Sequence, residues 1–183
     1  MPKKLTVGLI CGGVSPEHEV SFNSARNIYN AINRKKYEVV VIGVSRTGQW
    51  QHLNEKAFMK TVSLDKKIGR SLSLVPGQEN PIIYKSGKNT FPKIDIVFPI
   101  IHGPMGEDGK LQGLLSILGL PYVGPDTLGA SIGMDKDFTK RILKEGGVNV
   151  SPGAVLYKHE KPNYQSLINE FGLPLFRQAS EYG

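Results

Sequence analysis

His102, Glu107 and Asp108 stand close together on a stretch that also carries Gly103, Gly106, Gly109 and Gly113. An imidazole and two carboxylates on flexible backbone suit ligand binding, and equally suit closure of a loop on its own amides. His102 alone reads as a histidine satisfied by nearby backbone, and the company of Glu107 and Asp108 weakens that reading. His18, His52, His102 and His159 show no metal-ligand spacing, so no zinc site is expected. Glu17 follows Gly12 and Gly13 at a helix start, where unpaired N–H groups and the helix dipole favour an anion. From the local pattern alone, its carboxylate complements that dipole. Lys136, near the start of a later helix, is either a surface lysine or a point charge for a phosphate.

The elements that must position these residues follow from hydrophobic patterning. Residues 5–10 form an apolar run that predicts a buried strand, followed by the turn Cys11-Gly12-Gly13-Val14. Ser15 is expected as an N-cap with Pro16 as first helical residue, because proline's missing N–H would be unpaired there anyway. Val20, Ala25, Ile28 and Ile32 supply the apolar stripe of that helix. A valine-rich strand over 37–45 completes a strand–helix–strand unit, which implies a parallel pair with a right-handed crossover. Arg46-Thr47-Gly48 turns the chain into a short return strand through Trp50, and residues 54–89 read as short strands or loops.

The strongest apolar segment, 94–101, runs into the His102 loop and then a helix to about Leu118, stopped by Gly119 and Pro121. Tyr122-Val123 is expected as a short final strand. The resulting fold class is α/β, with a parallel sheet over residues 1–123. In open sheets of that kind, ligands bind beyond the carboxyl ends of the strands, which is where the His102 loop falls. From Gly124 a second, α+β unit is expected over 124–183. It has helices near 135–145 and 163–171, an extended piece at 154–157 and a strand beginning at 173–176.

Composition narrows the function classes. The 183 residues are 39% hydrophobic and 21% charged, which is a globular balance. The net charge of +7 is dispersed in small groups without aromatic interleaving, so a nucleic-acid partner is not expected. Cys11 is the single cysteine, which points to a reducing compartment and a cytoplasmic location. The first residues are too briefly apolar for a signal peptide, and no run is long enough to span a membrane. Gly-x-Gly-x-x-Gly is missing between Gly8 and Ser21, which disfavours a nicotinamide cofactor.

Three motifs, taken in order, resemble one family. Gly12-Gly13-Val14-Ser15-Pro16-Glu17-His18-Glu19-Val20-Ser21, the loop from His102 to Gly113, and Gly133-Met134-Asp135-Lys136 are similar to the D-alanine–D-alanine ligases of the ATP-grasp superfamily. The resemblance runs from about Thr6 to Phe176. It implies a Rossmann-like pre-ATP-grasp domain followed by an incomplete ATP-grasp subdomain, in a cytoplasmic, homodimeric enzyme of peptidoglycan synthesis. In that enzyme ATP phosphorylates one D-alanine, and the amine of a second attacks the acyl phosphate, with magnesium bridging phosphates. The resemblance assigns Glu17 to the ammonium of the first D-alanine and His102 and Gly103 to the same substrate. It places Ser21 at the helix start beside that substrate, has Glu107 and Asp108 shape the loop around it, and puts Lys136 on an ATP phosphate. Glu17 and His102 carry the catalytic assignment.

The similarity stops at Phe176, where the family continues Val-Lys-Pro and this chain reads Arg177-Gln178-Ala179. A shifted reading frame or a truncation is expected there. The main ATP and magnesium residues would then be missing, and the chain alone is expected to make no dipeptide. The alternative from another class is a noncatalytic binding module, or one half of a split ligase, that keeps an amino-acid pocket.

Overall fold

The computed structural model describes residues 3–87, 89–157 and 159–176, so the divergent segment 177–183 lies outside the described residues. The chain divides into two compact units, Met1–Ala130 and Ser131–Gly183. The first is built on a six-stranded sheet of order β5-β4-β3-β2-β1-β6. Strands β1 (Leu5–Gly12), β2 (Tyr37–Val44) and β6 (Ile96–Pro99) are parallel, with β1 central among them. Strands β3 (Trp50–Leu53), β4 (Arg70–Leu74) and β5 (Ile82–Tyr84) extend the sheet antiparallel.

The expected parallel sheet with a short return strand through Trp50 is therefore corrected to a mixed one, in which that return strand is followed by two more antiparallel strands. The short links after β2 and β4 leave no room for a crossover helix, and a chain that reverses directly must pair antiparallel. Helix α2 (Glu55–Lys60) falls in the stretch expected to be short strands or loops. The Asn54 side chain starts it by accepting from Ala57 N at 2.8 Å.

Alternation along the central strands sends Ile10, Val40 and Ile42 to one face, where they meet Leu111 and Leu115 of α3 (Lys110–Ile117) and Leu118 at its C-cap. Leu9, Cys11 and Val41 point to the other face, against Phe22, Ala25 and Tyr29 of α1 (His18–Ala31) and Phe58 of α2. Both faces are covered, which is why β1 and β2 read as unbroken apolar runs. Burial pushes the Cys11 thiol far up from its ordinary pKa, with Arg26 opposing weakly, so this sulfur is a core group without thiolate character.

At the antiparallel edge, His52, Tyr84 and Phe91 form an aromatic cluster, and Tyr84 OH lies 2.7 Å from His52 Nδ1. Burial, helped by the Arg70 charge, holds the His52 pKa below its ordinary 6.5. The folded state thus takes up the proton less readily than the unfolded chain. His52's contribution to stability is present above the unfolded pKa and lost as pH falls through the lower folded value. Urea midpoints are expected to drop on acidification from neutral pH, and His52→Gln should flatten that part of the slope.

In the second unit, α4 (Thr127–Met134) runs across the division, and α5 (Lys136–Glu145) and α6 (Tyr164–Phe171) follow. The extended pieces expected at 154–157 and 173–176 form no strand among the described residues. A lone extended segment needs a neighbour to accept its ladder hydrogen bonds, and none pairs with these. Tyr122 likewise makes one isolated parallel bridge to Val97 where a short strand was expected. Among the described residues no helix is long and apolar enough to cross a membrane.

Candidate functional site

Beyond the carboxyl end of β1, Gly12 and Gly13 take left-handed φ values of 94° and 96°. At Gly12 this freedom is required, because an added side-chain carbon would lie 2.2 Å from Val44 O. The following turn is closed by Ser15, whose Oγ accepts from Glu17 N at 3.1 Å and whose carbonyl accepts from His18 N at 3.3 Å. The helix itself is assigned from His18, so Ser15 caps a lead-in turn and not the helix proper.

Three buried or charged groups brace this turn. His18 is fully buried, with Nδ1 2.7 Å from Gly13 O and Nε2 accepting from Leu64 N at 3.0 Å. An amide can only donate, so the hydrogen of His18 sits on Nδ1. Ser21 Oγ accepts from Gly12 N at 2.7 Å and donates to Ile100 O, which ties the end of β1 to the chain leaving β6. Arg46, on the turn after β2, donates to Ser15 O at 3.3 Å and pairs with Glu19 and Asp65. Its hydrogen bond to Glu19 holds that carboxyl below the usual range.

Glu17 makes no capping hydrogen bond with its side chain. Its Oε2 lies against Gly103 instead, 3.0 Å from where a side-chain carbon on that glycine would stand, with Ser15 Oγ at the same distance. Gly103 has φ 71°, and its bare backbone is what lets the Glu17 carboxylate approach. The dipole-only reading of Glu17 thus gives way to one in which the carboxylate faces the His102 loop.

That loop is tightly wound. Gly106 N and Glu107 N both donate to Gly103 O, and Leu111 N donates to Met105 O. Met105 has φ 71°, a conformation that costs a non-glycine residue roughly 1 kcal/mol and that gathers at functional sites. Glu107 Oε2 accepts from Gly103 N at 2.9 Å, and Oε1 lies 3.6 Å from His102 Nδ1. His102 Nε2 lies 3.0 Å from Ser24 Oγ of α1.

Asp108 is buried and accepts from Met105 N and Lys110 N at 3.1 Å each, with Lys110 Nζ at 2.5 Å. Burial pulls its pKa up, but the Lys110 ammonium and the two amides outweigh that and leave it lowered. Glu17, Ser15, Gly103, His102 and Glu107 therefore converge on one small surface. Among the described residues no group of three or more His, Cys, Asp or Glu side chains could hold a metal ion.

This convergence at the ends of adjacent parallel strands coincides with a family match. Residues 6–125 match the family model described as D-ala D-ala ligase N-terminus. The chain belongs to that family. A D-alanine–D-alanine ligase from Sodalis glossinidius is 39% identical over 188 residues, covering 98% of this chain and 51% of the relative. The solved D-alanine–D-alanine ligase of Coxiella burnetii superposes with a TM-score of 0.83 at 34% identity, covering 93% of this chain and 50% of that one. A Bacillus anthracis ligase solved in complex with ATP superposes with a TM-score of 0.58 at 29% identity, over 92% of this chain and 43% of that one. The chain spans about half the length of the curated relatives it matches.

Within this D-ala D-ala ligase N-terminus, the residues expected from sequence divide four ways. Glu17, His102, Gly103 and Glu107 come together. Asp108 is beside them but turned inward, closing the loop. Ser21, expected to bind substrate, is fully buried with its hydroxyl engaged at both ends, so it is a tie between the two walls. Lys136 belongs to the second unit, where it is exposed at the first position of α5, and Asp135 caps the helix by accepting from Asp137 N and Phe138 N.

Sequence reasoning missed Ser24 and Arg46. A signal for Ser24 existed: Glu17, Ser21 and Ser24 follow a 4-then-3 spacing that puts them on one helical face.

Proposed function

We propose that this chain supplies the amino-acid-recognising part of a D-alanine–D-alanine ligase, with Glu17 pairing with the ammonium of the first D-alanine. The observation that carries the reading is the Glu17 carboxylate lying free of its helix and against Gly103. A carboxylate held at bare backbone has room to receive a small cationic group. His102 and Glu107 edge the same space, and their loop is braced by Asp108 so that ligand entry need not reorganise it.

Lys136 is read as a contact for an ATP phosphate. The fit is that of a single exposed cation, since the Asp135 carboxylate already occupies the amides at the start of α5. ATP with magnesium would supply the activation of one D-alanine toward the amine of another; Glu17, His102 and Glu107 would hold and orient the first D-alanine for that chemistry. The functional division is drawn at 123/124, the substrate domain preceding the beginning of the ATP-grasp domain. A cytoplasmic homodimer making dipeptide for peptidoglycan completes the reading.

The test is a titration of the chain with D-alanine, followed by amide NMR. Saturable shifts are expected at Glu17, Gly103 and Glu107, with weaker ones for L-alanine. Equal response to both enantiomers, or none, would overturn the reading.

A further inference from the structure

Ser24 sits within α1, half-buried, with its hydroxyl 3.0 Å from His102 Nε2. A serine inside a helix commonly returns its hydrogen to the carbonyl four residues back. Among the described residues the Ser24 hydroxyl has no hydrogen bond except that to His102, so its hydrogen is available to the imidazole. On the other side of the ring, Nδ1 faces the Glu107 carboxylate at 3.6 Å. At that distance no direct hydrogen bond forms, so the Glu107 carboxylate does not by itself hold the hydrogen on Nδ1. Among the described residues Ser24 is the ring's direct hydrogen-bond partner, and its donation to Nε2 leaves the hydrogen on Nδ1.

We propose that Ser24 is a positioning residue of the site, which fixes His102 in its Nδ1–H tautomer and so makes the open edge of the ring a donor. At 3.6 Å the Glu107 carboxylate lies beyond hydrogen-bond length, so the Nδ1 hydrogen is not taken up by it and stays available to an incoming acceptor. The second oxygen of Glu107 is engaged by Gly103 N, which keeps the carboxylate from closing that distance. The loop then presents a negative group at Glu17 and a donor at His102, a pair matched to the ammonium and the carboxylate of one zwitterion. Without the Ser24 hydroxyl, the neutral ring is free to move its hydrogen to Nε2. A lone pair on Nδ1 would then repel a ligand carboxylate. The tautomer rests on geometry alone, whereas its value for binding rests on the amino-acid reading above.

The experiment is long-range 15N–1H correlation of His102 in the full chain, with the imidazole neutral, for wild type, Ser24→Ala and Ser24→Thr. Wild type and Ser24→Thr are expected in the Nδ1–H form, and Ser24→Ala is expected to shift to the Nε2–H form while amides remote from α1 stay in place. D-alanine affinity should fall about tenfold in Ser24→Ala and be retained in Ser24→Thr. A wild-type ring already in the Nε2–H form overturns the proposal, whether or not the alanine variant folds. An unchanged tautomer in Ser24→Ala also overturns it. A wild-type chain that shows the Nδ1–H form yet ignores D-alanine supports Ser24's role and overturns the amino-acid reading instead.

Discussion

Glu17→Gln is expected to weaken D-alanine binding about thirtyfold while leaving the fold unchanged. The amide keeps the shape of the side chain and removes its charge. A hydrogen bond between charged partners contributes about 2 kcal/mol, which converts to that factor. Stability should hold within about 0.5 kcal/mol, because the side chain is exposed and caps nothing. Calorimetric titration beside a thermal melt separates the two effects. Affinity equal to wild type would remove Glu17 from the ammonium site, and a lowered melting temperature would show that the carboxylate braces the turn.

Gly106→Ala should be far more damaging to the fold. A methyl group there would lie 2.0 Å from Ile101 O and 2.6 Å from Ile101 C. Neither atom can yield easily, since Ile101 is buried in the core beneath α3. The loop must therefore lift, and it takes with it the buried bond from Gln112 Nε2 to Gly106 O. The combined steric and hydrogen-bond loss is about 3 kcal/mol, or roughly 6–12 °C in melting temperature for a chain of this size. The displaced loop also carries Glu107 away from Gly103. Loss of D-alanine response should therefore accompany the lowered melt, and a variant melting with wild type would refute the close approach.

The central strands and their helices were legible because their signals are local. Valine and isoleucine runs mark β1 and β2, and Gly119 and Gly146 end α3 and α5 close to where sequence put them. What escaped depends on partners far along the chain. Nothing in Arg70–Leu74 or Ile82–Tyr84 declares that these segments will pair antiparallel beside β3. Conversely, residues 154–157 and 173–176 look like strands but join no sheet among the described residues. The site followed the same rule. Glu17 and the His102 loop were each visible, but their convergence on Gly103 became legible only through a family pattern. Ser24 was passed over because its spacing from Glu17 and Ser21 marks a shared helical face but not the partner that gives it a role, His102, which lies 78 residues further along the chain.

The tie made by Ser21 has a wider consequence. Glu17 follows β1 and His102 follows β6, and these strands are adjacent rungs of one parallel ladder. The two walls of the site are therefore spaced by the interval between hydrogen-bonded strands, about 4.8 Å, which no side-chain substitution can alter. Width is a constant of the backbone. Pocket depth, by contrast, depends on how far each loop rises above its strand end. Adapting this scaffold to a larger amino acid is thus a problem of loop length, to be solved by insertions before Glu17 or after His102, with the strands left untouched.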